Sequence, residues 1–254
     1  MASPVGAPGW VDLATTDHDA ARTFYAELFG WSWQSRGHYD VALIGQTPVA
    51  GLLHPVADMP TAWTVYLECG SIQRAADHVH ALGGRVLIPP TETEHHEFFL
   101  VSQDPSGAVV GLCQATSESV LGRDHAGMLC WAELHTRDAS TADPFYADLL
   151  GYRQEQIGEP GGEFAYTVWY VDDMPTAGRL DASSALPAGV PPHWQVYFQL
   201  NPDQDTDTAV DRAARLGGRV LRSPSDSPHG RIAQLQDVVG APFFVIDTAQ
   251  RTGE

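Results

Sequence analysis

Glu133 and His135 lie two residues apart in the segment WAELHTRD. On a strand, residues at that spacing share a face. Such a pair can serve as a general acid and base when the carboxylate holds the imidazole in one orientation. Asp12 occupies the corresponding place in an earlier, similar segment, WVDLATTD, where alternation puts it on the face of Trp10 just as it puts Glu133 and His135 on the face of Trp131. Catalytic chemistry, if present, is therefore expected at His135, Glu133 and Asp12. A satisfied structural histidine is the competing reading for His135.

Other reactive groups are less promising. His95-His96-Glu97, with Glu94, is the densest cluster of metal-capable groups, but neighbours on a strand point to opposite faces, so a solvated loop is expected. His78 and His80 stand two apart in a helical pattern and do not share a face. Cys69, Cys113 and Cys130 form no CxxC pair and have apolar neighbours, which points to reduced packing thiols and a cytoplasmic setting. All 14 basic residues are arginine, so Schiff-base chemistry and a lysine base are excluded. No phosphate loop, serine elbow or dinucleotide fingerprint occurs.

The formal charge of −18 repels nucleic acid and anionic lipid and attracts a cationic small molecule; the competing reading is that the acidity only keeps the protein soluble. No stretch approaches the ~18 apolar residues that a membrane span needs. A length of 254 residues with 43% hydrophobic and 18% charged content suits one large or two ordinary folded domains.

The elements that must position these residues are written twice. WVDLATTDHDAARTFYAELFGW from Trp10 recurs as WAELHTRDASTADPFYADLLGY from Trp131. WTVYLECGSIQRAADHVHALGGRVL from Trp63 recurs as WQVYFQLNPDQDTDTAVDRAARLGGRVL from Trp194, and DPSGAVVGL from Asp104 as DVVGAPFFV from Asp237. Three matches in one order indicate a duplication, with domains 1–120 and 121–254. Each half predicts two modules of strand, helix and further strands. Trp10 to Thr16 alternates as a strand; Asp17 caps a helix with Ala21, Phe24, Tyr25 and Leu28 on one face, and Gly30 ends it. Pro144, placed where the first copy has Thr23, predicts a shorter helix capped by Asp143 in the second half.

Four βαβββ modules with FYxxLFGW and DPSGAVVGL punctuation resemble the vicinal-oxygen-chelate superfamily of glyoxalases, extradiol dioxygenases and bleomycin-binding proteins. PPHWQVYF, RLGGRVLRSPSDSPHGRIA and VGAPFFVID resemble in particular its tandem actinobacterial subgroup, often labelled hydroxylase. The resemblance implies an α+β fold: two tandem domains, each of two modules forming a curved, partly open mixed sheet. Metal-dependent members carry His or Gln at the start of the first strand, His at the start of the fifth, and Glu in the last. Those places map here to Trp10, Trp63 and Gly111, and to Trp131, Trp194 and Phe244. None of these side chains ligates a divalent cation, so no metal and no cofactor is expected.

By the same resemblance, Trp10, Trp63, Trp131 and Trp194 point into the cavities and offer stacking surfaces to a planar ligand. Tyr39, Tyr166 and His193 complete the expected ligand-binding set, with His54 and His229 near the mouth. Three functions stay open. One is a metal-free protein that binds an aromatic, antibiotic or polyketide-like molecule, to sequester it or hand it to a partner enzyme. The second is a metal-independent isomerase, cyclase or hydroxylase-type enzyme using the cavity histidine and acids. The third is a structural module whose indoles fill the cavities. A monomer with an internal pseudo-dimer and a homodimer are equally compatible with the duplication.

Overall fold

The protein is described here by a computed structural model covering residues 4–54, 60–93, 97–114, 121–123, 125–159, 162, 165–184, 186–201 and 203–250. The first half contains β1 (Pro8–Ala14), α1 (His18–Phe29), β2 (Ser32–Arg36), β3 (Tyr39–Ile44), β4 (Thr47–Leu53), β5 (Ala62–Glu68), α2 (Ile72–Ala81), β6 (Arg85–Glu92), β7 (Phe98–Gln103) and β8 (Val109–Gln114). The second contains β9 (Leu129–Thr136), α3 (Ala139–Leu150), β10 (Arg153–Ile157), β11 (Tyr166–Val171), β12 (Met174–Asp181), β13 (His193–Gln199), α4 (Thr206–Arg215), β14 (Arg219–Ser227), β15 (Gly230–Gln236) and β16 (Pro242–Asp247).

Each half builds an eight-stranded mixed sheet, ordered β2-β3-β4-β1-β5-β8-β7-β6 and β10-β11-β12-β9-β13-β16-β15-β14. The two orders are identical once the halves are aligned, so the duplication seen in the residues is a duplication of topology. β1 runs parallel to β4 and β5 to β8, while the outer pairs are antiparallel. The fold is α+β. Among the described residues no helix is long and apolar enough to cross a membrane.

The halves are not the units of compactness. One compact unit comprises Met1–Trp10, Thr64–Val120 and Trp131–Gln195; the other comprises Val11–Trp63, Leu121–Cys130 and Val196–Glu254. Each therefore joins a module from one half to a module from the other, and each is organised around a buried tyrosine. In the second unit, the Tyr25 hydroxyl donates to Asp237 Oδ2 at 2.8 Å and accepts from the Trp63 indole at 3.1 Å. In the first, Tyr146 donates to Asp104 Oδ2 at 2.9 Å and accepts from Trp194 at 3.1 Å. The aspartates sit in the tight turns before β8 and β16, and their other oxygens accept from the Ala108 and Ala241 amides. Burial raises both carboxyls above the usual carboxylate range, against the pull of those hydrogen bonds. Around Tyr25 pack Phe24, Phe29, Trp31, Trp63 and Phe243; around Tyr146 pack Phe145, Trp169 and Trp194.

The helix starts follow their caps. Asp17 accepts from the Ala20 amide, and Gly30 ends α1 at φ 75°, a conformation that an L side chain rarely adopts. The shorter second-half helix expected from Pro144 does not occur. α3 runs 12 residues from an Asp138 cap, the same length as α1, with Pro144 inside it. Proline removes the amide that would bond residue 140 and costs up to about 3 kcal/mol in a helix interior. The start is held all the same, because Asp138 accepts from the Thr141 amide and from the Ser140 and Thr141 hydroxyls. Asp143 stays inside the helix, and its carboxylate grips Arg179 from β12 instead of capping.

Candidate functional site

β9 sends Ala132 and Leu134 to the helix layer, where both are fully buried, and Trp131, Glu133 and His135 to the opposite face. On that opposite face His135 Nε2 lies 2.5 Å from Glu133 Oε1. Tyr166, from β11, joins them: its hydroxyl donates to the Glu133 carboxylate and accepts from the Trp131 indole at 2.9 Å. Burial, reinforced by the Glu133 charge, keeps this phenol protonated well above its ordinary range. The tyrosine fits because residue 178 on the neighbouring strand is glycine; a Cβ there would overlap its hydroxyl.

β13 adds the second wall. His193 and Gln195 share a face by alternation, and the His193 ring centroid lies 5.7 Å from that of His135. His193 Nδ1 is 2.9 Å from the Pro191 carbonyl, which can only accept, so Nδ1 carries the proton. Its Nε2 then accepts from the Gln195 amide nitrogen at 2.8 Å. Burial lowers the His193 pKa and favours this neutral form. Gln195 Oε1 is buried and has no hydrogen-bond partner among the described residues. Trp131, Glu133, His135, Tyr166, His193 and Gln195 all belong to one compact unit.

The remaining expected site residues are placed differently. Asp12 and Tyr39 form a short hydrogen bond of 2.5 Å in the other unit, beside Gly51, which leaves the same gap as Gly178. Trp10 is half-buried in β1. Trp63 and Trp194 do not face a cavity. They turn to the helix layer, 7% and 5% exposed, with their indole nitrogens bonded to Tyr25 and Tyr146. The position at the start of β13 that faces the site is His193, one residue earlier, and a shift of one residue on a strand exchanges the faces. Each first strand thus contributes one indole and each fifth strand none. Gln195 carries no motif and was not among the expected residues. Glu94, His95 and His96 lie outside the described residues, and Arg231 is tied at the surface to Asp207 and Asp226.

A separate hollow of about 380 Å³ in the other unit is bordered by His18, Arg22, Asp40 and His54. His18 Nδ1 is 3.4 Å from Asp40, and its ring stacks on His54 at 3.5 Å. Among the described residues no group of three or more His, Cys, Asp or Glu is arranged to hold a metal ion.

Comparisons with known proteins agree with this architecture. The profile of the family described as "Glyoxalase-like domain" matches residues 10–113 and 131–246. Over 258 residues the chain is 34% identical to the putative glyoxylase CFP32 of Mycobacterium tuberculosis, covering 96% of this chain and 95% of that one. It is also 34% identical over 263 residues to the anthracycline biosynthesis protein DauV of Streptomyces sp. (strain C5), with coverages of 95% and 93%. The Mn(II)-bound glyoxalase from Novosphingobium aromaticivorans superposes with a TM-score of 0.68 at 16% identity, over 99% of this chain and 87% of that one. Two family segments in tandem, on a duplicated sheet topology, place this chain in the glyoxalase-like domain family.

Proposed function

We propose that the protein binds a planar aromatic small molecule of secondary metabolism on the second-half face built from Trp131, Glu133, His135 and Tyr166, and does so in the cytoplasm without a resident metal. The observation that carries this reading is Trp131: a half-buried indole, fixed in orientation by Tyr166 and standing beside a buried acid. A flat, pre-oriented ring loses little entropy on binding and offers a stacking partner worth roughly 0.5–1.5 kcal/mol beyond its buried area. The nature of the compound is suggested by DauV, which is named for anthracycline biosynthesis. The bound molecule is held for sequestration or for transfer to a partner enzyme.

Operation without a metal is supported by the donor set. Indoles stand at the mapped ligand places of both first and fifth strands. Both nitrogens of His193 are engaged, and His135 Nε2 is engaged by Glu133. These residues do not fit the family's divalent ion.

Calorimetric titration with an anthracycline and with anthraquinone tests the reading. Trp131→Ala should weaken binding by about tenfold, the stacking contribution plus lost area, with a stability loss well below that of a core tryptophan. Unchanged affinity would exclude this face as the binding site.

The 2.5 Å contact between Glu133 and His135 favours a second reading, acid–base catalysis on the bound compound. A carboxylate that fixes the imidazole leaves the ring ready to take or deliver a proton at a carbon next to a carbonyl or at a phenol. His135→Ala should then abolish turnover while leaving affinity nearly unchanged, and retained turnover would remove His135 from the mechanism.

A further inference from the structure

The geometry points to Gln195 as the residue that selects the ligand: we infer that its Oε1 accepts a hydrogen bond from a hydroxyl on the ring, so the preferred compounds are phenols or hydroxyquinones rather than their ethers. This rests on the aromatic-binding reading above. Gln195 is 3% exposed, and among the described residues Oε1 has no partner while Nε2 is committed to His193. A buried amide oxygen with nothing to accept from is costly, and most such atoms in proteins are satisfied by something.

The amide orientation follows from the chain of donors. The Pro191 carbonyl forces the proton onto His193 Nδ1, so His193 Nε2 is an acceptor and must face the amide nitrogen. Rotating the amide would set two acceptors against each other. Burial, which disfavours the imidazolium, keeps that constraint in force. What remains for a ligand is an acceptor, and the complementary group is an O–H. The corresponding residue of the first half is Thr64, which is too short to repeat this arrangement.

The test compares 2-hydroxyanthraquinone with 2-methoxyanthraquinone, in which a methyl group replaces the donor hydrogen, by calorimetric titration of the protein. Wild type should prefer the hydroxyl compound by about tenfold, the scale of one buried hydrogen bond. Gln195→Met, similar in volume but without an acceptor, should bring the ratio of the two affinities near one. Equal binding of both compounds by wild type, or a preference that survives Gln195→Met, would overturn the assignment and leave aromatic binding standing. Binding of neither compound would overturn the aromatic-binding reading and this inference with it.

Discussion

The two modules that open the halves, residues 10–53 and 131–180, share a frame and differ in what they hang on it. Trp10 and Trp131, Asp12 and Glu133, Tyr39 and Tyr166, and Gly51 and Gly178 correspond position by position. In both, a tyrosine fills the space that a glycine leaves and bonds the acid of the first strand. Ala14, Ala62 and Thr64, however, become His135, His193 and Gln195. The row of acid, two imidazoles and an amide exists in the second half alone, where β13 supplies His193 and Gln195 to the residues of β9. The frame persists in both copies, whereas the polar row, buried though it is in the second, is not repeated in the first.

The ion pairs beneath the helices reinforce the contrast. In the second module, helix residue Asp143 holds strand residue Arg179, whose side chain is 3% exposed, at 2.6 Å. In the first, the charges are exchanged: helix residue Arg22, 38% exposed, stands 3.7 Å from strand residue Asp40. Leu52 takes the place of Arg179. One sheet is pinned by a dry, bidentate bridge and the other by a loose one beside the His18–His54 hollow.

The sharpest way to break the comparison is to remove matched indoles. Trp194→Ala and Trp63→Ala should each cost about 3–5 kcal/mol in chemical denaturation, as large-to-small core changes do, and Trp131→Ala far less. A comparable loss from Trp131→Ala would make it a core residue and erase the distinction between the two faces. Next in size, Asp143→Ala strands a buried guanidinium and should cost about 3 kcal/mol. Arg22→Ala should cost under about 1 kcal/mol, as exposed pairs do. Equal costs would show that burial does not separate the two bridges.

The smallest effect tests what the units share. Asp104 and Asp237 have raised folded pKa values, so the native state binds more protons than the unfolded chain between the ordinary carboxylate pKa and the folded one. Stability should therefore fall as pH rises through that window, with a slope of at most about 1.4 kcal/mol per pH unit for each group. Asp104→Asn and Asp237→Asn should each flatten the profile by a similar amount. If only one does, the two buried tyrosine centres are not equivalent.

Much of this was legible in the residues. The duplication, the strand alternation and the helix caps required only local patterns, and the pairing of Glu133 with His135 followed from a period of two. The βαβββ pattern includes β2 and β10, but as mostly exposed edge strands they carry no apolar alternation that would mark their residues. Trp63 and Trp194 face the helix layer and not the expected side of the sheet, since on a strand an offset of one residue reverses every side chain. The α3 start was missed because a single proline outweighed a cap whose three donors are visible only when folded. Gln195 had no signature, because an orphaned oxygen is a property of its neighbours and not of its own residue type. The partners of Tyr25 and Tyr146 were present in two recognised motifs, but nothing local says that a tyrosine in one half bonds an aspartate in the other.

That crossed bonding sets the order in which the chain can finish folding during synthesis. Tyr146 emerges 42 residues after its partner Asp104, whereas Tyr25 must wait 212 residues for Asp237. At roughly 5–20 residues per second the longer wait is about 10–40 s. The unit built from Met1–Trp10, Thr64–Val120 and Trp131–Gln195 has all its segments once residue 195 is made, while Val11–Trp63 still lacks Val196–Glu254. Phe24, Tyr25, Trp31 and Trp63 meanwhile have no Phe198 or Phe243 to pack against. The nascent chain therefore carries an uncovered aromatic surface through most of translation. It is the amino-terminal module, made first and completed last, that most needs protection from aggregation on the ribosome.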